Sequence, residues 1–185
     1  MPLTSTAEIF DACALINLYA SSFMSEIISS RQTRCCVVDQ ALQESLFIRR
    51  ASDMGTNFTR ESVVLAPYLI SGALQQVKLE GEDEQNLFVN LAFQLGDGEA
   101  ATIAVAISRQ MHVISDDKKA FRILKKEAPG ITCLSTMEVI KTWSEMQAIP
   151  AEQTKAALSN IQRYANYRPG EDHQLFSWWL NLMNA

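Results

Sequence analysis

Short apolar runs alternate along the chain with longer stretches whose apolar positions recur at helical spacing. That alternation predicts βαβ units around a parallel sheet, with helices on both faces. Ile9-Phe10 runs into Asp11, and ACALINLYASSF then places Leu15, Leu18 and Tyr19 on one side of a helix. CCVV (35–38) reads as a short buried strand, and a helix follows over about 40–50. Residues 61–76 read as helical, with Pro67 near a start or break, while 74–79 read equally as a short strand. EGEDE (80–84) reads as a solvated first turn leading into an apolar helix over 86–95, because carboxylates suit a helix N-terminus. A helix over 98–110, a strand over 112–115, a helix over 117–127 and a strand over 131–134 continue the alternation. STME (135–138) has capping-box spacing before another helix, Pro150 opens a further one, and RPGED (168–172) precedes a terminal helix carrying Trp178 and Trp179. The expected architecture is a three-layer α/β domain with helical C-terminal additions.

Composition narrows this picture only a little. At 185 residues and 48% apolar content, one domain with a well-buried core is expected, and no Gly/Ser- or Pro-rich linker divides the chain. A net charge of −5 weighs against a protein that grips nucleic acid through overall positive charge, though it leaves room for a local basic patch. Cys13, Cys35, Cys36 and Cys133 lack metal-ligand spacing and read as reduced core residues of a cytoplasmic protein. The apolar run over 12–20 is far shorter than the ~18 residues of a membrane span, so no membrane association is expected.

The acids change the picture more. In a parallel α/β sheet, ligands bind at the carboxyl ends of the strands beside the topological switch point. Asp11 ends the first predicted strand, and Asp116 and Asp117 end a later one. Glu44 follows the CCVV strand, and Asp97 and Glu99 open the helix before HVIS. Each acid alone has a plainer reading as a helix cap or a solvated side chain. Asp11 is the exception, since it is embedded in the stretch expected to be most buried, and a buried carboxylate needs a partner. Together the acids suggest a hard-metal site, with Mg²⁺ or Mn²⁺ favoured because all candidate ligands are oxygens.

IFDACALINL, VVDQALQESL, GDGEAATIAVA and VISDDKKAFRIL, in this order, resemble the four blocks of the PIN-domain nucleases, particularly the small prokaryotic toxin-like members with a G-E-A third block. The resemblance spans about residues 9–134. It implies a PIN-like fold with a central parallel sheet of four or five strands over 1–134, with 135–185 as a helical extension packed on the same domain. It also implies an acidic pocket of Asp11, Glu44, Glu99 and one or both of Asp116 and Asp117. The G-E-A match favours Glu99 over Asp97, while Asp116 and Asp117 align equally well. A homodimer, and an antitoxin or other regulatory partner, are further implications of the family.

The expected activity is metal-dependent hydrolysis of RNA phosphodiester bonds, with DNA a second possible substrate. Asp11, Glu99 and Asp116/Asp117 would hold the ion, and Glu44 would act directly or through water. KKAFRILKK supplies positive charge beside the last acids, with Lys118, Arg122 and Lys125 on one helical face to bind substrate and Phe121 and Leu124 turned inward. Arg31, Arg34, Arg49 and Arg50 are candidates to extend that patch. His112 and His173 sit in no catalytic or metal-binding spacing, and no phosphate- or dinucleotide-binding glycine loop is present. The competing reading is a catalytically silent PIN-like module that binds or regulates a protein; a small-molecule phosphatase is a third.

Overall fold

β1 (Glu8–Phe10) is flanked by a parallel strand on each side and buried at every position, as a central strand covered on both faces is. The computed structural model describes residues 7–44, 46–51 and 58–184. After β1 come α1 (Ala12–Ala20), α2 (Met24–Ser30), β2 (Cys35–Val38) and α3 (Asp39–Gln43). A hairpin of β3 (Phe47–Ala51) and β4 (Phe58–Ser62) leads to α4 (Ala66–Ile70) and β5 (Gln75–Val77). Then follow α5 (Gly81–Ala92), α6 (Asp97–Arg109), β6 (His112–Ile114), α7 (Lys118–Glu127) and β7 (Cys133–Leu134). The chain closes with α8 (Thr136–Met146), α9 (Ala151–Asn160) running into a π-helical turn (Ile161–Ala165), and α10 (Phe176–Asn184).

The main sheet has five parallel strands in the order β5-β2-β1-β6-β7. The first three sheet strands step outward in one direction from β1, and the chain then returns to β1's other side. The strand order therefore reverses between β1 and β6. That is the switch point at which an open parallel sheet leaves a crevice at its carboxyl edge. The register carries Asp11 and Ser115 to that edge together, as the Asp11 N–H donates to the Ile114 carbonyl at 2.9 Å.

α6 lies close against the sheet because its inner face is built of small residues, among them Gly98, Ala100, Ala101, Ala104 and Ala106, all buried. α8 contributes Met137, Val139, Ile140 and Trp143 to the same hydrophobic core that β1 and α6 occupy. Among the described residues no single helix is long and apolar enough to cross a membrane.

Three expectations need correction. The stretch 40–50 is a short helix followed by strand β3, because Phe47 and Ile48 join a β-branched and aromatic run that pairs with β4 across a complete antiparallel ladder. Residues 61–76 divide into the end of β4, the single helical turn set by Pro67, and β5. The acidic run in the first turn of α5 is not wholly solvated. Glu84 is buried, with its carboxylate paired to Arg109 at 2.7 Å, and that pairing holds its pKa below the usual carboxylate value.

Candidate active site

Asp11 is 2% exposed. It is the N-cap of α1: Oδ1 accepts the Ala12 N–H at 2.8 Å, which satisfies one of the helix's orphan donors. Oδ2 accepts from the Ser115 hydroxyl at 2.8 Å and from the Cys13 thiol at 3.3 Å. Burial pushes the Asp11 pKa up, these hydrogen bonds oppose the shift, and the negative charge of Asp117 adds to it. Cys13 is thus part of the site rather than of the core proper, and burial holds its thiol protonated.

Three further carboxylates reach the same edge from three other elements. Glu44 follows α3, Glu99 lies in the first turn of α6, and Asp117 caps α7 by accepting the Ala120 N–H at 2.6 Å. Glu99 also reaches back to accept the Gly96 N–H at 3.2 Å, which fixes its side chain over the start of α6. Burial first, then the charges of Asp11, Glu99 and Asp97, push the Glu44 pKa up. Burial likewise raises Glu99, with Asp11 and Asp117 adding to the shift and Lys119 opposing it. Gly98 gives Glu44 its place: a Cβ at position 98 would sit 2.0 Å from the Glu44 Oε1 and 3.3 Å from the Ala41 Cα.

The two aspartates after β6 have different surroundings. Asp116 Oδ1 accepts from the Thr136 N–H at 2.9 Å and the Tyr167 hydroxyl at 2.6 Å. Its Oδ2 accepts from the Asn17 amide at 2.8 Å and from the Thr136 hydroxyl. Four donors from three elements leave this carboxylate little capacity for another partner. Asp117 is the one whose charge acts on Asp11 and Glu99. Asn17, Ser115, Thr136 and Tyr167 carried no signal in the sequence that set them apart.

The acids fit a hard cation in donor type, since all are oxygens, and in electrostatics, since three are raised in part by one another. Among the described residues no three His, Cys, Asp or Glu side chains lie as close together as ligands of one ion. A cation held here would therefore take some of these carboxylates through water.

The basic face is only partly free. Lys118, 74% exposed, pairs with Asp172 at 2.7 Å, and Lys125 lies over the Phe121 ring at 5.7 Å. Arg122 donates to the Lys118 carbonyl and has no carboxylate partner among the described residues. Phe121 does not turn inward with Leu124; it is 42% exposed. Arg31 is bound to buried Glu8 at the opposite end of β1, and Arg50 pairs with Glu61 across the hairpin at 2.8 Å, so neither extends the patch.

A family model described as a PIN domain matches residues 8–173. No curated protein and no solved structure matches the chain.

Proposed function

The chain belongs to the PIN-domain family, and from that premise we propose that it is a divalent-metal-dependent ribonuclease whose acidic pocket is Asp11, Glu44, Glu99 and Asp117. PIN domains are in general nucleases, and they typically use divalent metals. The observation that carries the finer reading is the buried Asp11 at the switch point, with the charges of Asp11, Glu44, Glu99 and Asp117 acting on one another from four separate elements. Like charges gathered in this way destabilise a fold unless a cation answers them.

Asp11 would be the central ligand, with Glu99 and Asp117 beside it and Glu44 in direct contact or one water away. When bound, Mg²⁺ or Mn²⁺ supplies an activated water and positive charge against the scissile phosphate. Ser115 orients Asp11 by donating to Oδ2, and its own oxygen accepts the Asp117 N–H at 3.2 Å, so one hydroxyl ties two of the acids together. Asp116 positions rather than ligates: it fastens α1, α8 and the segment around Tyr167 to the end of β6. Hydrogen bonds of this kind hold ligands in place, and their loss typically costs 10- to 100-fold in metal affinity or activity, on the order seen for outer-shell partners.

The test is cleavage of mixed single-stranded and structured RNA by the purified protein with Mg²⁺, with Mn²⁺ and with EDTA, beside Asp11→Asn. Metal-dependent cleavage that falls by about 10²-fold or more in the variant supports the reading. No cleavage, together with no divalent-ion binding by calorimetry, sinks it and leaves the non-catalytic module in its place.

A further inference from the structure

A second concavity of about 850 Å³ opens beside Asp117, between α7 and the segment that joins the π-helical turn to α10. Sites that take small organic ligands run from roughly 300 to 1,000 Å³, so this one has room for a nucleotide. We propose that it is the subsite for an unstacked nucleotide of single-stranded RNA next to the cleaved bond, with Phe121 stacking the base and Arg122 and Arg168 holding its phosphates. The choice of RNA as the guest rests on the nuclease reading; the cleft itself does not.

Four acids and three basic side chains line the cleft, so what it offers an anion is two guanidinium groups and not an overall positive charge. Of the four acids that line it, Asp116 is taken up by Asn17, Thr136 and Tyr167, and Asp172 by Lys118. Glu138 accepts from the Ser135 hydroxyl at 2.8 Å and from the Gln174 amide at 2.6 Å. Asp117 belongs to the acidic pocket. Arg122 and Arg168 are exposed, line the same cleft and have no carboxylate partner among the described residues. Two unmatched guanidinium groups beside a phosphodiester-cleaving site suit phosphates, which they bind through paired N–H donors.

The aromatic content selects a base. Phe121 presents an exposed ring at the cleft wall, a surface that stacks any base without demanding a sequence. His173 completes the wall in a defined form. Its Nδ1 accepts the Leu175 N–H at 3.0 Å, so the ring proton of a neutral His173 sits on Nε2 and is donated to the Ser135 hydroxyl 3.0 Å away. The Ser135 hydroxyl donates in turn to the Glu138 carboxylate at 2.8 Å. In this arrangement His173 donates to Ser135 and does not accept from it, which suits a binding site.

The experiment is fluorescence anisotropy with a labelled single-stranded RNA decamer and the full chain in EDTA, where no cutting occurs. Metal-dependent cleavage is measured in parallel. The Arg122→Gln/Arg168→Gln double variant is expected to bind at least about tenfold more weakly. Its slope of log affinity against log salt is expected to fall by about 1.4, the loss of two phosphate contacts on a single strand. Phe121→Ala is expected to weaken binding about fivefold or more, without that change in slope. Native affinity in both variants overturns the proposal, as does an absence of RNA binding by the unaltered protein. Intact cleavage with unchanged KM in the variants removes the subsite and spares the nuclease; RNA binding through the cleft without any cleavage does the reverse.

Discussion

The Glu44 carboxylate lies over Gly98 so closely that the two positions cannot both carry a side chain in their present places: Oε1 is 2.0 Å from where a Cβ on residue 98 would be. Gly98 is helical, with an ordinary negative-φ backbone, so alanine there would gain up to about 1 kcal/mol of helix propensity. The nearby Ala41 backbone at 3.3 Å takes some of that back. Gly98→Ala is therefore expected to leave Tm within about 4 °C of the native value while displacing Glu44. Mn²⁺ affinity by calorimetry should drop by about tenfold. An unchanged affinity would remove Glu44 from the ion site.

Asp11, Glu44 and Glu99 all have pKa values raised in the fold. Between the ordinary and the raised value of each, the folded chain holds more protons than the unfolded one, so stability falls as pH rises through that window. In EDTA, Tm should climb as pH is lowered through the range just above the ordinary carboxylate values of 3.8 and 4.5, and added Mg²⁺ or Mn²⁺ should restore the loss at the upper end of that range far more than at the lower. Glu84 has the opposite sign, and its window lies below the ordinary carboxylate value of 4.5, outside that range. A Tm that rises with pH over this range, or that responds equally to metal at both ends, would contradict the coupling.

Asp116 and Asp117 should separate cleanly under mutation. Asp116→Ala strands the Asn17 amide, the Thr136 N–H and hydroxyl and the Tyr167 hydroxyl, at about 1–3 kcal/mol for each donor left buried and unpaired. Denaturant unfolding should register a loss of at least about 3 kcal/mol. Asp117→Asn keeps an acceptor for the Ala120 N–H, so its stability should stay near native while metal-dependent cleavage falls. If the two exchange these phenotypes, the assignment of ligand and positioning residue is reversed.

Trp143, 1% exposed, packs at 5.6 Å from the Phe23 ring and ties α8 to the first third of the chain. Trp143→Ala should cost about 3–5 kcal/mol in urea unfolding. A loss under about 1 kcal/mol would mean that α8 is an appendage.

The parts of the fold that local pattern dictates were open to reading from sequence. Ile9-Phe10-Asp11 declared a buried strand ending in an acid, and Gly98-Glu99 declared a helix start that brings a carboxylate close to its neighbours. The hairpin was hidden because LQESLFIRR has helical periodicity until Phe47 and Ile48 find a partner strand ten or more residues on, and pairing outweighs local propensity. Asp116 and Asp117 could not be told apart for a related reason. Their difference lies in Asn17 and Tyr167, some 100 residues before and 51 after Asp116, and only the sheet topology brings these together. Phe121 fits an inward helical position by spacing, yet it faces the cleft and stays 42% exposed.

The segment after the π-helical turn is stitched to the sheet's carboxyl edge by Tyr167 on Asp116, His173 on Ser135, Gln174 on Glu138 and Asp172 on Lys118. All four acids proposed for the pocket lie within residues 11–117, whereas the clasp, which holds their neighbours Asp116, Lys118, Ser135 and Glu138, is built from residues 167–174. The carboxyl edge of the sheet is therefore completed only by chain that lies well beyond its strands.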